Sequence, residues 1–387
     1  MSSQRTHAVQ APIIPMINQW VRETPKAISL GQGVAYYSPP EQAFARIQQQ
    51  LQSGSCDLYG PVEGMPELQQ TLADKLAVRN HINISEENCI FVTAGSNMAF
   101  SSLMLAITDP GDEIILLTPY YFNHEMAIRL ANATPVCVAT KVDFHPDIEL
   151  IERNISNKTR AIVTVSPNNP TGAVYTEAEL IQINELCHKH GIYHISDEAY
   201  EDFTYQHHEH FSVASLTNTQ AHTISLFSMS KAYGFAGWRV GYMVIPKQLF
   251  LAMKKVQDTI LISPPIISQL AAVGAHQAPY QFITDKLKVI EQSRQVCLDA
   301  LNQSDCLAHR ASSEGAFYIF AKLKLNMDDL SLAKTLIHNY GIATIPGSAF
   351  SAPDGTYLRI SYGALTSENV ELGINKLISS LIELSQR

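Results

Sequence analysis

The sequence is poor in charge, and poorest in positive charge. Of its 387 residues only 16% are charged, and 27 lysines and arginines face 36 aspartates and glutamates, a net charge of −9. Such a chain has no basic stripe to spare for phosphates, which argues against a general nucleic-acid binder. No apolar run approaches the roughly 20 residues needed to span a bilayer. The opening Met1-Ser2-Ser3-Gln4-Arg5-Thr6-His7 lacks the apolar stretch of a secretory signal, so a cytoplasmic protein is expected. The six cysteines (Cys56, Cys89, Cys137, Cys187, Cys297, Cys306) show no CxxC spacing, which favours reduced thiols over a zinc site. Low-complexity tracts are missing too. What remains is 46% hydrophobic residues in a chain long enough for two domains.

Apolar runs of strand length alternate with helical patterns from about residue 88 to 245. Cys89–Thr93, Glu113–Leu117, Ala161–Val165, Ile192–Ile195 and Thr223–Phe227 are the clearest strands. The helix between the third and fourth opens on a capping box, Thr176 to Glu179, and stops at Gly191. This alternation predicts a largely parallel sheet covered by helices, with ligands bound beyond the carboxyl ends of the strands. Gly95-Ser96-Asn97, Asn169, Asp197 to Tyr200 and Lys231 all fall at such ends. Strand, small-residue turn and helix start at Gly95–Asn97 is a geometry that presents backbone N–H groups to an anion; a plain capped helix explains it as well. Beyond Pro264-Pro265 a helical stretch runs from Ile266 to about Asn302, interrupted near Pro279. The late strand Tyr357–Ser361 carries Arg359 among apolar residues, with Asp354 the only acid close by in sequence. A substrate carboxylate is the partner this suggests.

Lys231 is the centre of the pattern. It follows the apolar strand Thr223–Phe227 and sits between Ser228, Ser230 and a glycine-bearing turn, with Arg239 eight positions on. Burial and a neighbouring cation favour the neutral amine, which is the nucleophile that makes Schiff bases. Ser228, Ser230 and Arg239 together are suited to a phosphate. Taken alone, a lysine in a loop with an arginine nearby is the simpler reading. Gly31-Gln32-Gly33 lacks the third glycine of a dinucleotide turn, and close backbone approach to a ligand explains it equally well. His207-His208-Glu209-His210 lies in a short turn without i, i+4 spacing, so a solvated loop is expected there and no metal site.

Ser228-x-Ser230-Lys231 with Arg239, Asn169-Pro170-Thr171-Gly172, Asp197-x-x-Tyr200 and Arg359-Ile360 occur in this order over nearly the whole chain. Together they resemble the fold-type I pyridoxal-phosphate (PLP) aminotransferases of the aspartate aminotransferase superfamily. The resemblance implies an α/β fold. Residues 46–284 would form a large domain with a mostly parallel seven-stranded sheet between helices. Residues 285–387 would form a smaller α+β domain, joined by an N-terminal segment, 1–45. It also implies roles. Lys231 would hold the cofactor as an aldimine and later shuttle the proton, Asp197 would pair with the pyridinium nitrogen, and Tyr200 and Asn169 would bond the ring 3-oxygen. Ser96, Asn97, Ser228 and Arg239 would hold the phosphate, and Tyr121 would stack on the ring. Tyr59 would reach the phosphate of the other subunit, implying a homodimer with shared active sites. Arg359 would clamp the substrate α-carboxylate, helped by Asn169 and the backbone at Gly33.

Substrate choice follows from departures. Asn97 stands where some acid-specific members carry lysine, and no lysine or arginine lies between Lys255 and Lys286. Tyr36 and Tyr37 add aromatic lining instead. The expected reaction is transfer between a neutral amino acid (aromatic, methionine, glutamine or alanine) and a 2-oxo acid. An aspartate aminotransferase, or a β-lyase or synthase on the same fold, stays open.

Overall fold

Strands that are mostly buried and apolar set the architecture. The computed structural model describes residues 2–51 and 54–386. In chain order the strands are β1 (Ile28–Ser29), β2 (Asn88–Thr93), β3 (Glu113–Thr118), β4 (Thr134–Ala139), β5 (Thr159–Val165) and β6 (Tyr193–Asp197). β7 (Thr223–Ser228), β8 (Gly241–Pro246), β9 (Tyr318–Lys322), β10 (Ile342–Ala343), β11 (Ile345–Pro346) and β12 (Tyr357–Ser361) follow. Seven of them form one sheet in the order β2-β8-β7-β6-β5-β3-β4. Only β8 runs against its neighbours, β2 and β7. The sheet is therefore mostly parallel, as expected.

Because successive side chains point to opposite faces, one strand feeds two cores. Ile114 and Leu116 of β3 pack with Phe91, Phe100 and Met104 on one face. Ile115 and Leu117 pack with Ile162, Leu180 and Ile183 on the other. Helix Ser96–Ile107 covers the first face and helix Glu177–His190 the second. The latter has the predicted capping box, Thr176 with Glu179, and ends on Gly191 at φ 64°.

The remaining strands build onto both chain ends. β9, β11 and β12 form an antiparallel sheet. β1 pairs in parallel with β10, Ile28 opposite Ile342, so the N-terminal segment is stitched to the C-terminal part. The break near Pro279 separates helix Ile266–Gln277 from helix Gln281–Gln303. Residue 284 falls within the first turns of that second helix. One helix is not regular along its whole length. The α-helix Pro66–Lys75 widens into a π-turn over Leu76–Asn80. That turn lets Lys75 and Asn80 both reach Glu201, at 2.6 and 2.7 Å, while Arg79 pairs with Asp202. These contacts brace the segment that follows Tyr200. No described helix is long and apolar enough to cross a membrane.

Candidate active site

Five strand ends of the large sheet deliver side chains to one cleft. Ser96, Asn97, Tyr121, Asn169, Asp197, Tyr200, Ser228, Ser230, Lys231 and Arg239 line it, around about 480 Å³ of empty space.

One end is shaped for an anion. Gly95 adopts φ 88°, and a methyl group there would run into the Arg239 guanidinium. Only glycine combines that backbone with that neighbour. A side chain at Gly241 would meet the Ser96 amide at 2.5 Å, so β8 and the helix start are in close contact. Helix Ser96–Ile107 has no side-chain cap, and its first residues, Ser96 and Asn97, line the cleft. Arg239 itself sits at φ 55°, held by its bond to the Ala236 carbonyl at 2.9 Å. For a residue with a Cβ this is a strained backbone, which is common where a side chain must be aimed.

The floor carries the negative charge. Asp197, at the end of β6, accepts from the Ala199 amide at 3.0 Å through one oxygen. The other lies 3.0 Å from Nε2 of His124. His124 is buried, stacked on Phe100 at 4.0 Å and set edge-on to Tyr121. Sequence reasoning missed it. The one available signal was its place three residues after Tyr121, on the helix Phe122–Leu130.

Lys231 stands opposite. Its amine donates to the Gly33 carbonyl at 2.6 Å and lies 5.4 Å from the centre of the Tyr200 ring. Burial, then Arg359 and Arg239, pull its pKa down to about 8, with Asp197 acting the other way. The loop that carries it is fixed from above. Tyr37 donates to the Lys231 and Ala232 carbonyls at 3.2 and 3.1 Å, and a side chain at Gly234 would strike the Tyr37 carbonyl at 2.6 Å.

Arg359, on β12, is 2% exposed and has no carboxylate partner among the described residues. It donates to Asn169 Oδ1 at 2.9 Å and to the Gly31 carbonyl at 2.8 Å, and its Nε is buried with no partner. The two glycine carbonyls of this turn thus divide, Gly31 meeting Arg359 and Gly33 meeting Lys231. Tyr318 and Phe350 flank the guanidinium, with ring centres at 4.4 and 5.0 Å. Tyr318 was not anticipated either; in sequence it reads as one more apolar residue of β9. Tyr200 bonds its hydroxyl at 2.7 Å, and burial followed by that neighbour holds Tyr200 well above the usual phenol range.

Two predicted features lie elsewhere. Tyr59 is 82% exposed and outside this chain's own cleft. In the histidine-rich turn, His210 bonds Glu198 at 2.9 Å. Among the described residues no group of three or more His, Cys, Asp or Glu converges for a metal.

A mostly parallel sheet of seven strands, with a half-buried lysine and a buried aspartate at strand ends, an open helix start at one side and at the other a buried arginine with no ion-pair partner among the described residues, is the architecture of the fold-type I PLP enzymes. Residues 25–377 match the family described as aminotransferase class I and II, and the chain belongs to it. It is similar to an aromatic aminotransferase of Arabidopsis thaliana, at 33% identity over 99% of this chain and 97% of that one. An aspartate/prephenate aminotransferase of Thermus thermophilus is 33% identical over 97% of this chain and 95% of its own. The solved structure of an aspartate aminotransferase from Thermus thermophilus with maleate superposes at a TM-score of 0.90. Its sequence identity is 31%, and 98% of this chain and 99% of that one are covered. The protein is an aminotransferase, and PLP is the cofactor its family uses.

Proposed function

We propose that this enzyme moves the amino group of a neutral L-amino acid (aromatic, methionine, glutamine or alanine) to a 2-oxo acid, with PLP held around Lys231. The residues present fit that cofactor. An uncapped helix start with Arg239 suits a phosphate, Asp197 offers a carboxylate, and Lys231 is half-buried with a lowered pKa. The buried, partnerless Nε of Arg359 suits a substrate carboxylate.

When bound, PLP supplies an electron sink for the pair left on the α-carbon as its proton departs. The chain's residues do the rest. Lys231 would first offer its amine and then carry the proton to and from the α-carbon. Asp197, oriented by His124, would keep a proton on the ring nitrogen. Tyr200 and Asn169 would donate to the ring 3-oxygen, and Tyr121 would cover the ring. Ser96, Asn97, Ser228 and Arg239 would hold the phosphate. Arg359, with Asn169 beside it and the backbone at Gly31 and Gly33 around it, would orient the substrate so that the α-hydrogen faces Lys231.

The substrate reading is carried by the shortage of cations. Among the described residues at the cleft the positive groups are Lys231, Arg239 and Arg359, each already assigned. The other lining includes the aromatic Tyr121 and Tyr200, with Tyr36 and Tyr37 packed edge-to-face beside the Lys231 loop. Among the residues lining the cleft itself a distal carboxylate would find no further counter-charge. The Arabidopsis relative's name supports this reading. An aspartate-using enzyme is the second reading, supported by the Thermus relative's name and by Lys286, whose Nζ lies 5.7 Å from the Tyr37 ring centre.

We also propose a cytoplasmic homodimer, with domains divided at residues 45 and 284, in which Tyr59 serves the partner's phosphate. Its exposure supports this, as do the neighbouring exposed Leu58, Ile262 and Ile267. The six free cysteines suit a reducing compartment.

The test is an absorbance titration of the PLP-loaded enzyme with single amino acids. The visible band should convert to the near-ultraviolet amine form with phenylalanine or methionine and return on adding a 2-oxo acid. Aspartate should be at least about tenfold less efficient in kcat/KM. Preference for aspartate, abolished by Lys286→Ala, would establish the second reading instead. Decay to ammonia and a 2-oxo acid without the amine form would mean a lyase.

A further inference from the structure

Tyr318 has no part in the roles above, yet it touches both halves of the site. It is fully buried on β9, one strand from Arg359 on β12. Its hydroxyl is 2.7 Å from that of Tyr200, and the Arg359 guanidinium carbon lies 4.4 Å over its ring. A methyl group at Gly33 would come within 2.7 Å of the same hydroxyl. The backbone there is thus shaped around the tyrosine's polar end as well as its ring.

A phenol has one proton to give. If Tyr200 gives its proton to a ligand oxygen, its own oxygen must accept the proton of Tyr318. Among the described residues the other donor near it is Asn169 Nδ2, at 3.5 Å, the limit of a hydrogen bond. We propose that Tyr318 is a positioning residue: it fixes the direction of the Tyr200 hydrogen bond and relays carboxylate occupancy at Arg359 to the cofactor-binding end of the cleft. The inference rests on the PLP reading above.

The relay is electrostatic. The Arg359 charge over the ring favours electron withdrawal from the Tyr318 hydroxyl and makes it a better donor; burial pushes its pKa up to about 12 and Arg359 opposes that. A donor strengthened in this way strengthens the next one in the chain. A carboxylate bound to Arg359 offsets the charge, so Tyr318 donates less well and Tyr200 follows. The other charged or titratable groups facing the pair are Lys231, Tyr121 and, through Tyr121, Asp197. All remain when Tyr318 is changed, so the effect of Tyr318 can be read by difference.

The variant is Tyr318→Phe, which keeps the ring and its contact with Arg359 and removes only the hydroxyl. The visible band of the PLP-loaded enzyme is titrated with pH, with and without saturating 3-phenylpropionate, a monocarboxylate that has no amino group to transfer. In Tyr318→Phe the midpoint should move by about 0.5 to 1 pH unit, a three- to tenfold change in the proton equilibrium. The further displacement caused by 3-phenylpropionate should fall to less than half that of the wild type. Wild-type values for both in Tyr318→Phe, with loss only in Tyr318→Leu, would reduce the residue to packing and overturn the relay. A wild-type protein that binds PLP without a visible band would instead defeat the functional reading on which the relay depends.

Discussion

The state of the Lys231 amine before any ligand arrives is the most exposed consequence of this geometry. An ordinary lysine titrates at 10.5, and burial followed by Arg359 and Arg239 brings Lys231 to about 8. At pH 7 that difference raises the neutral, reactive fraction by about 300-fold. The assay is the rate at which the visible band forms when PLP is added to cofactor-free enzyme, measured from pH 6 to 10. The rate should titrate with a midpoint near 8. Arg359→Gln removes the stronger of the two cations and should raise that midpoint. Because burial is the larger cause, it should stay nearer to 8 than to 10.5. The sign of the stability linkage agrees. Between pH 8 and 10.5 the folded chain sheds a proton that the unfolded chain keeps, so cofactor-free enzyme gains stability as pH rises through this window. The gain is no more than about 3 kcal/mol, and Lys231→Met should remove it. A wild-type midpoint at 10 or above would refute the reasoning. So would an Arg359→Gln midpoint restored to 10.5, since the cation and not burial would then be the cause.

Asp197→Asn keeps the shape of the floor and removes its charge, leaving His124 without its anionic partner. PLP should still bind, while single-turnover transamination slows by about 100-fold or more. Gly95→Ala should displace the Arg239 guanidinium and strain a φ of 88°, weakening PLP affinity by about tenfold or more in a dialysis titration, with the far-ultraviolet circular dichroism unchanged. For Glu201, burial raises the carboxyl pKa but Lys75 and Arg79 outweigh it and hold it well below the usual range. A depressed carboxyl contributes stability above its unfolded pKa and loses it as pH falls. Glu201→Gln, which strands the buried Lys75, should therefore cost about 3–5 kcal/mol at pH 7 and progressively less toward pH 3 by urea titration. Sedimentation should give twice the 42.8 kDa chain mass, and Tyr59→Ala should weaken PLP binding in that dimer without altering the protomer's fold.

How much of this was legible in sequence depended on whether a residue's role is announced locally. β2, β3, β5, β6 and β7 are apolar runs cut by turn residues, and their ends bear the functional groups, so position followed from pattern. Lys231, Asp197, Asn169 and Arg359 were legible because four short motifs occur in a fixed order. His124 and Tyr318 were not, because each takes its meaning from a residue far away in sequence, Asp197 for one and Tyr200 with Arg359 for the other. Gly31 and Gly33 show the limit most sharply. Both are glycines in one turn, and which carbonyl meets Arg359 and which meets Lys231 depends on how residues 31–38 cross the loop at Gly234. The π-turn at Leu76–Asn80 escaped for a similar reason. Its apolar spacing is helical, and the extra residue per turn answers to Glu201 and Asp202 on another segment.

The charge pattern explains why such a site can exist in a chain of net charge −9. Three cations, Lys231, Arg239 and Arg359, converge where the protein supplies one buried carboxylate, Asp197. Elsewhere it pairs Lys75 with Glu201 and Arg79 with Asp202. At the cleft it leaves its cations for ligands to complete. The lowered pKa of Lys231 and the partnerless Nε of Arg359 are two signs of the same imbalance. A phosphate and one carboxylate would balance it. A second carboxylate on the substrate would need a further cation, and the walls in its path are tyrosines. The proposed selectivity against acidic side chains would need no repulsive group, because withholding one more positive charge would be enough.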